Sequence, residues 1–370
     1  MASKDIIVIG GSAGAVQVLK ALVEDLPHDL AAAVLAVVHI PPSSPGRLPE
    51  ILQRRSALRV AWAEDGEPIE TGRVHVAPAD QHLVVEAGHI RLTRAPRENH
   101  SRPAIDPLFR SAALAYGPRV IGVVLSGRLD DGTAGLWAVQ ERGGTSVVQD
   151  PDDAAHPDMP RNALAYTAAD HVVSTGELGS LLVRLVGEAV PSHEEPASPA
   201  LELEVKIAME ANALGQGVMS LGPTTPYSCP ECHGVLMRVG NEGIPRFRCH
   251  TGHAYSLDSL LASTTEGVEG ALWSALRAVE ETVLLLREAA RREPANGANA
   301  RESFFASRFE QKAREAESRA ALIRQAVMRH QALSLETVRG GPHAGEPDDR
   351  RHGAEKRRVA ATSGSSSRAD

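Results

Sequence analysis

The stretch "DIIVIGGSAGAVQVLKALVEDL", residues 5–26, decides the fold. An apolar run ends in Gly10-Gly11-Ser12-Ala13-Gly14, and a helical pattern begins at once. That is a strand, a tight turn and a helix. Two chemistries use such a turn. Glycines can let a phosphate reach the N–H groups of a helix start. A serine there can be a nucleophile. The dinucleotide fingerprint wants a glycine where Ser12 stands, because a side chain blocks close approach of the pyrophosphate. The pattern G-x-S-x-G fits instead, as Gly10, Ser12 and Gly14. In that motif the turn pushes the serine Oγ out of the sheet, and the helix start offers N–H groups to an oxyanion. Serine is also a favoured helix N-cap, so capping of the following helix is the plain alternative.

Outward from this stretch, apolar runs alternate with helical patterns to about residue 188. The runs are 6–9, 33–40, 74–77, 83–86 with 90–93, 120–125, 145–148 and 172–173. Helical patterns cover 15–26, 105–116, 132–142 and 157–168. Continuous Val, Ile and Leu point to parallel strands buried on both faces. Their alternation with helices predicts an α/β fold, a doubly wound and mostly parallel sheet. The pair around Ala87-Gly88 reads as an antiparallel hairpin attached to it.

A nucleophilic serine needs a base, and the base needs an orienting acid. The second strand, "AAVLAVVHIPP", ends in His39. In a βαβ unit that end lies beside Ser12. The chain has 15 histidines, and position alone singles this one out. The strand "RVIGVVLSG" opens into "RLDDGTAGL", with Asp130 and Asp131 past its end. A 3-2-1-4 strand order puts this loop at the topological switch point with Ser12 and His39. Asp130-Asp131-Gly132 also reads as an ordinary turn and helix cap. The chain order Ser, His, Asp differs from the Ser, Asp, His of α/β-hydrolases.

The stretches "VIGGSAGAVQVL", "VVHIPP", "VHVAPADQHLVVE", "SRPAIDPLFRSAA", "VLSGRLDDGTAGL" and "VVQDPDDAAHPDMPRNAL" together resemble the catalytic domain of the CheB family, the chemotaxis protein-glutamate methylesterases. The resemblance implies a triad of Ser12, His39 and Asp131. It implies hydrolysis of glutamyl methyl esters on a chemoreceptor or related signalling protein, with glutamine deamidation by the same chemistry. It implies no cofactor for catalysis. Where the family commonly has Met-Gly after Ser-Gly, this chain has Arg128-Leu129; where it often has threonine after the serine, this chain has Ala13. Well-known members carry a receiver domain in front; only a few residues precede the first strand here, so we expect none in cis. His82, Asp80 and Asp106 sit in family-like motifs with no chemical role assigned.

Cys229-x2-Cys232 in "SCPECHG" and Cys249-x3-His253 in "FRCHTGHAY" form two knuckles. Their spacing predicts a tetrahedral Cys3His site for a structural Zn2+. His253 closes its knuckle better than His250, which is adjacent to Cys249. Three clustered cysteines do not make a disulfide framework. Similar stand-alone chains share this segment. Arg238, Arg246 and Arg248 are balanced by Glu231, Glu242 and Asp258, so the zinc-ribbon-like segment shows no basic patch for nucleic acid.

The expected organisation is a catalytic domain at 1–188, a linker at 189–200, the zinc-ribbon-like segment at 201–264, an α-helical hairpin at 265–335 and a disordered tail at 336–370. The hairpin is expected to serve self-association or partner docking. Formal net charge is −8, which argues against nucleic acid as the main partner. No apolar run is long enough for a membrane span, so we expect no membrane insertion and a cytoplasmic protein. The competing function class is a catalytically inactive CheB-like interaction protein. An oxidoreductase is a distant third.

Overall fold

The structure, a computed structural model, describes residues 2–41, 46–191, 196–210, 212–240, 243–292, 300–331 and 333. In chain order the first half holds β1 (Ile6–Gly11), α1 (Ala15–Asp25), β2 (Ala33–Val38), α2 (Leu48–Gln53), β3 (Arg59–Trp62) and β4 (Arg73–Val76). Then come β5 (His82–Glu86), β6 (His89–Thr93), α3 (Ile105–Tyr116), β7 (Val120–Val124) and α4 (Thr133–Glu141). β8 (Thr145–Gln149), α5 (Asp158–Tyr166), β9 (His171–Val173) and α6 (Thr175–Leu185) complete it.

Seven strands form one parallel sheet in the order β3-β4-β2-β1-β7-β8-β9. β1 therefore lies between β2 and β7, as the expected 3-2-1-4 order requires. Successive side chains of β1 feed opposite faces. Ile7 and Ile9 join α1 and α6 through Leu19, Leu22, Leu178 and Leu182. Ile6 and Val8 join α3 and α4 through Leu108, Phe109 and Leu136. All six β1 residues are buried, which is why the run is apolar throughout rather than alternating.

The pair β5 and β6 is antiparallel, as expected, but forms its own two-stranded sheet instead of extending the main one. It rests on α3, where Ser111 Oγ accepts the Val85 N–H at 2.9 Å. The short elements α2 and β3 carry too few residues to show a period in the sequence.

After α6, the helix α7 (Pro199–Glu210) starts inside the expected linker. It sets Leu201 and Val205 into the same apolar cluster as α3. Residues 192–195 of that linker, and the expected tail at 336–370, lie outside the described residues. β10 (Thr224–Ser228), β11 (Val235–Val239), β12 (Arg246–Cys249) and β13 (Ala254–Ser256) then make a four-stranded antiparallel sheet. α8 (Leu257–Arg292) and α9 (Ala300–Arg329) pair along Val283, Ala313 and Ala316. α8 begins before the expected residue 265 because its first turn, Asp258 to Leu260, is buried against neighbours and shows no one-sided pattern. Leu284, Leu285 and Leu322 on this hairpin are exposed. No helix among the described residues is long and apolar enough to cross a membrane.

The small sheet is locked to the α/β half by buried charge. Arg248 on β12 is 1 % exposed and reaches Glu98 at 2.8 Å and Glu204 at 3.1 Å. Arg110 on α3 lies 2.5 Å from the other Glu98 oxygen. Burial opposes the charged forms, but the guanidinium groups hold Glu98 and Glu204 well below the usual carboxylate range. Removing one partner of such a set leaves a buried charge uncompensated. Arg248→Ala is expected to destabilise the fold by about 3–5 kcal/mol, read as a lower thermal midpoint. An unchanged midpoint would show that these charges do not lock the two parts.

Candidate active site and metal centre

β1, β2 and β7 end side by side. Ser12 directly follows β1 and His39 directly follows β2. Gly11 and Val38 are register partners, so Ser12 and His39 are the next pair along. The His39 N–H donates to Gly11 O at 3.1 Å and carries the register past the strand ends. Asp131 stands in the loop between β7 and α4 and is 2 % exposed. His39 Nε2 lies 2.7 Å from Asp131 Oδ2.

Among the described residues Ser12 Oγ makes no hydrogen bond to the imidazole. The two residues stand one strand spacing apart, about 4.8 Å, and such bonds commonly tighten only with substrate bound. The Ser12 N–H donates to Ser126 O at 2.9 Å, tying the turn to the chain after β7. The N-cap of α1 is Gly14, at φ 83°, with no side-chain cap bond. Ser12 is thus not the cap, and the plain explanation for it falls away.

The Asp131 carboxylate is surrounded by donors. Oδ2 accepts His39 Nε2 and the Ile105 N–H, each at 2.7 Å. Oδ1 accepts the Asn99 amide at 3.0 Å and the Asp106 N–H at 3.3 Å. Burial works against ionisation. The bond and charge of His39, the Ile105 N–H and the Asn99 amide outweigh it and hold Asp131 below its ordinary value. An ionised Asp131 keeps the proton on Nε2 and leaves Nδ1 as the basic nitrogen.

Two neighbouring carboxyls behave in the opposite way. Asp106 Oδ1 accepts the N–H groups of Gly132 at 3.1 Å and Gly135 at 2.6 Å, so it caps α4 from a neighbouring helix. Burial, and then the Asp131 charge, push it up to about 7. Asp130 Oδ1 accepts Ser256 Oγ at 2.5 Å and Ser259 Oγ at 3.2 Å. Burial pushes it up to about 7 against the Ser256 hydrogen bond. The turn in Asp130-Asp131-Gly132 is real, since the Thr133 N–H donates to Asp130 O at 3.1 Å. Neither carboxylate caps the helix, however; one faces His39 and the other faces α8. Leu129, just before them, has φ 59°, a left-handed conformation that costs leucine about 1–3 kcal/mol.

His82 and Asp80 bind neighbouring backbone and side-chain groups. His82 Nδ1 accepts the Ala104 N–H at 3.2 Å, and Nε2 donates to Pro96 O at 3.1 Å. Full burial lowers its pKa to about 4 and keeps it neutral. Asp80 pairs with Arg102 at 2.7 Å and with Arg94. Together they hold the chain that presents Asn99 and the Ile105 N–H to Asp131. Asn99 was not foreseen from sequence. It stands at φ 47° beside His100 at φ 63°, in an irregular stretch where no periodicity operates.

In the small sheet, the ligand atoms of Cys229, Cys232, Cys249 and His253 all lie within 4.8 Å of one another. A tetrahedral ion with Zn–S bonds of about 2.3 Å sets ligand atoms roughly 3.8 Å apart. Cys232 and Cys249 Sγ are 3.6 Å apart, and His253 Nδ1 is 3.7 Å from Cys229 Sγ and 3.6 Å from Cys249 Sγ. His253 Nε2 faces Glu231 at 3.3 Å, the carboxylate partner that metal-bound histidines usually have. The four residues fit a divalent metal, with His253 and not His250 in the group.

Residues 7–182 match the family CheB methylesterase. A Leptospira interrogans protein, provisionally named a protein-glutamate methylesterase/protein-glutamine glutaminase, is 38% identical over 180 residues, 48% of this chain and 93% of its own length. The chain belongs to the CheB methylesterase family. A Nocardioides protein named protein-glutamate methylesterase/protein-glutamine glutaminase is 39% identical over 191 residues, 50% of this chain and 52% of its own length. The Thermotoga maritima CheB methylesterase catalytic domain, a crystal structure, matches with 33% identity and a TM-score of 0.48 over 50% of this chain and 100% of that one. The CheB match ends before α7, so the cysteine sheet and the helical hairpin lie outside it.

The raised carboxyls of this CheB-family site have a consequence for stability. Asp130 titrates near 7 in the fold against an ordinary value of 3.8. The folded state binds that proton more tightly, so its stabilising contribution is complete below about pH 4 and is lost as pH rises through 7. Asp130→Asn removes the ionisation and keeps an acceptor for Ser256. The melting-temperature gap, variant minus wild type, should widen in the variant's favour between pH 5 and pH 8. A gap independent of pH would show that Asp130 titrates alike in both states.

Proposed function

We propose that this chain is a protein-glutamate methylesterase, a carboxylic ester hydrolase that demethylates glutamyl methyl esters of a chemoreceptor or related signalling protein in the cytoplasm. The observation that supports it is that Ser12 and His39 follow the ends of paired strands β1 and β2, with His39 Nε2 2.7 Å from Asp131 Oδ2. The family names of its relatives point to the same activity.

In this reading His39 Nδ1 takes the proton from Ser12 Oγ as Oγ attacks the ester carbonyl carbon. On the same reading the N–H groups of Ala13 and Gly14, in the turn between Ser12 and the start of α1, receive the oxyanion. Asp131 holds the imidazole tautomer and steadies the imidazolium. His39 returns the proton to the leaving oxygen and methanol departs. Water, activated by His39, then attacks the acyl-serine, releasing the glutamate side chain and restoring Ser12. A glutamine substrate would lose ammonia by the same steps. The helical hairpin, with its exposed leucines, is the part we assign to self-association.

Methanol release from methylated receptor should fall by at least about 10^4-fold in Ser12→Ala. Equal rates in wild type and variant would end the proposal.

The Cys3His group is assigned to a structural Zn2+, which holds the small sheet together and takes no part in the acyl chemistry. Atomic emission on the purified protein should find about one zinc per chain, and close to none in Cys249→Ser. Full zinc content in that variant would remove the assignment.

A further inference from the structure

The cysteine sheet is linked to Asp131, the most buried member of the Ser12 site, through the side chain of Asn99. Ala254 and Ser256 of β13 run alongside residues 97–99. The Ala254 N–H donates to Arg97 O at 3.3 Å, and the Asn99 N–H donates to Ala254 O at 2.9 Å. The Ser256 N–H donates to Asn99 Oδ1 at 2.9 Å. The other end of the same amide donates to Asp131 Oδ1 at 3.0 Å and to Asp106 Oδ2 at 3.3 Å. One planar side chain thus spans the small sheet and the carboxylate that faces His39.

A second path runs in parallel. Ser256 Oγ donates to Asp130 Oδ1 at 2.5 Å, with Ser259 Oγ on the same oxygen at 3.2 Å. Ser256 Oγ also accepts the Ser259 N–H at 3.0 Å, which makes it the cap of α8. Asn162 donates to Leu129 O at 3.1 Å and to Asp258 Oδ2 at 3.4 Å. The Leu129–Asp131 loop is therefore gripped by the start of α8. Asn99, Asp130, Asp131, Ser256 and Ser259 are all buried, so water cannot replace a lost partner cheaply. Neither Ser256 nor Ser259 lies in the residues that match the family.

We propose that the Cys3His sheet and the first turn of α8 position the Asp131 carboxylate, through Asn99 on one side and through the Ser256–Asp130 bond on the other. Asn99 and Ser256 are positioning residues: they touch no substrate and act through Asp131 on His39. This rests on the hydrolase reading of Ser12. It adds that the α/β half reaches its full rate only with the small sheet seated. Loss of the Cys3His fold would release Asn99 and Asp130 together. A carboxylate misplaced by about 1 Å can slow the chemistry by about 10^2-fold without changing how the substrate binds.

The test uses the full chain and a fluorophosphonate probe, which reports attack by Ser12 without needing the receptor. Wild type, Asn99→Ala, Ser256→Ala and Ser256→Thr are compared for kinact, KI and the final labelled fraction. In Asn99→Ala and Ser256→Ala, kinact should fall about 10- to 100-fold with KI and the labelled fraction held. Ser256→Thr keeps a hydroxyl and a helix cap, and should return kinact to near the wild-type value. Wild-type kinact in both alanine variants would overturn the proposal. A smaller labelled fraction at unchanged kinact would also overturn it, as this is the mark of partial misfolding. So would a slow Ser256→Ala that Ser256→Thr does not rescue. If wild type itself is never labelled at Ser12, the hydrolase reading fails first and this inference falls with it.

Discussion

A carboxylate buried to 2 % exposure organises this protein's site. Asp131 is charged where burial disfavours charge, and the fold supplies four donors to make that tolerable. One donor is the imidazole ring. The others come from Asn99, Ile105 and Asp106, all on the chain entering and opening α3. Without them the carboxylate would take up a proton and the ring would lose its orienting partner. The placement of α3 against β1 is thus a condition of the His39–Asp131 contact as much as of the core.

That placement explains the glycines of the opening stretch. A Cβ at Gly10 would sit 2.2 Å from Ile105 Cγ2, and one at Gly132 would sit 2.8 Å from the same atom. Ile105 is nested between them, and its N–H reaches Asp131 from that nest. Gly10 serves helix approach, not phosphate approach. Gly132 also needs φ 93°, which a residue with a side chain rarely adopts. Leu129 lacks that freedom and takes a left-handed conformation nevertheless. Its carbonyl is held by Asn162, one of several contacts that over-determine the loop.

Much of the α/β half was legible. Strands buried on both faces show as unbroken apolar runs, whereas the strand order was an assumption that only the tertiary structure could test, and the edge strand β3 left no run to count. Ser12 and His39 were found because they stand where such runs stop. The Cys3His group was legible because such paired Cys and His spacings are local in sequence, and the structure brings the four side chains together. Less legible were elements whose burial is shared on several sides. The start of α8 is covered by loops of the other half, so no amphipathic stripe marks it. In sequence α7 belongs to the following segment, because the Pro- and Ser-rich stretch before it resembles a break, whereas in the fold Leu201 and Val205 complete the α3 core.

Local rules of spacing and periodicity were enough to determine the strand–turn–helix with its serine, the doubly wound sheet and the clustering of three cysteines with His253. Each of those depends on residues close together in the chain. Only the tertiary structure decided which groups surround Asp131, why Asp130 faces Ser256, and that Asn99 joins the two parts. A buried carboxylate draws its donors from whatever the folded chain brings within about 3 Å. Those neighbours are set by packing between distant segments, and no window of sequence contains them.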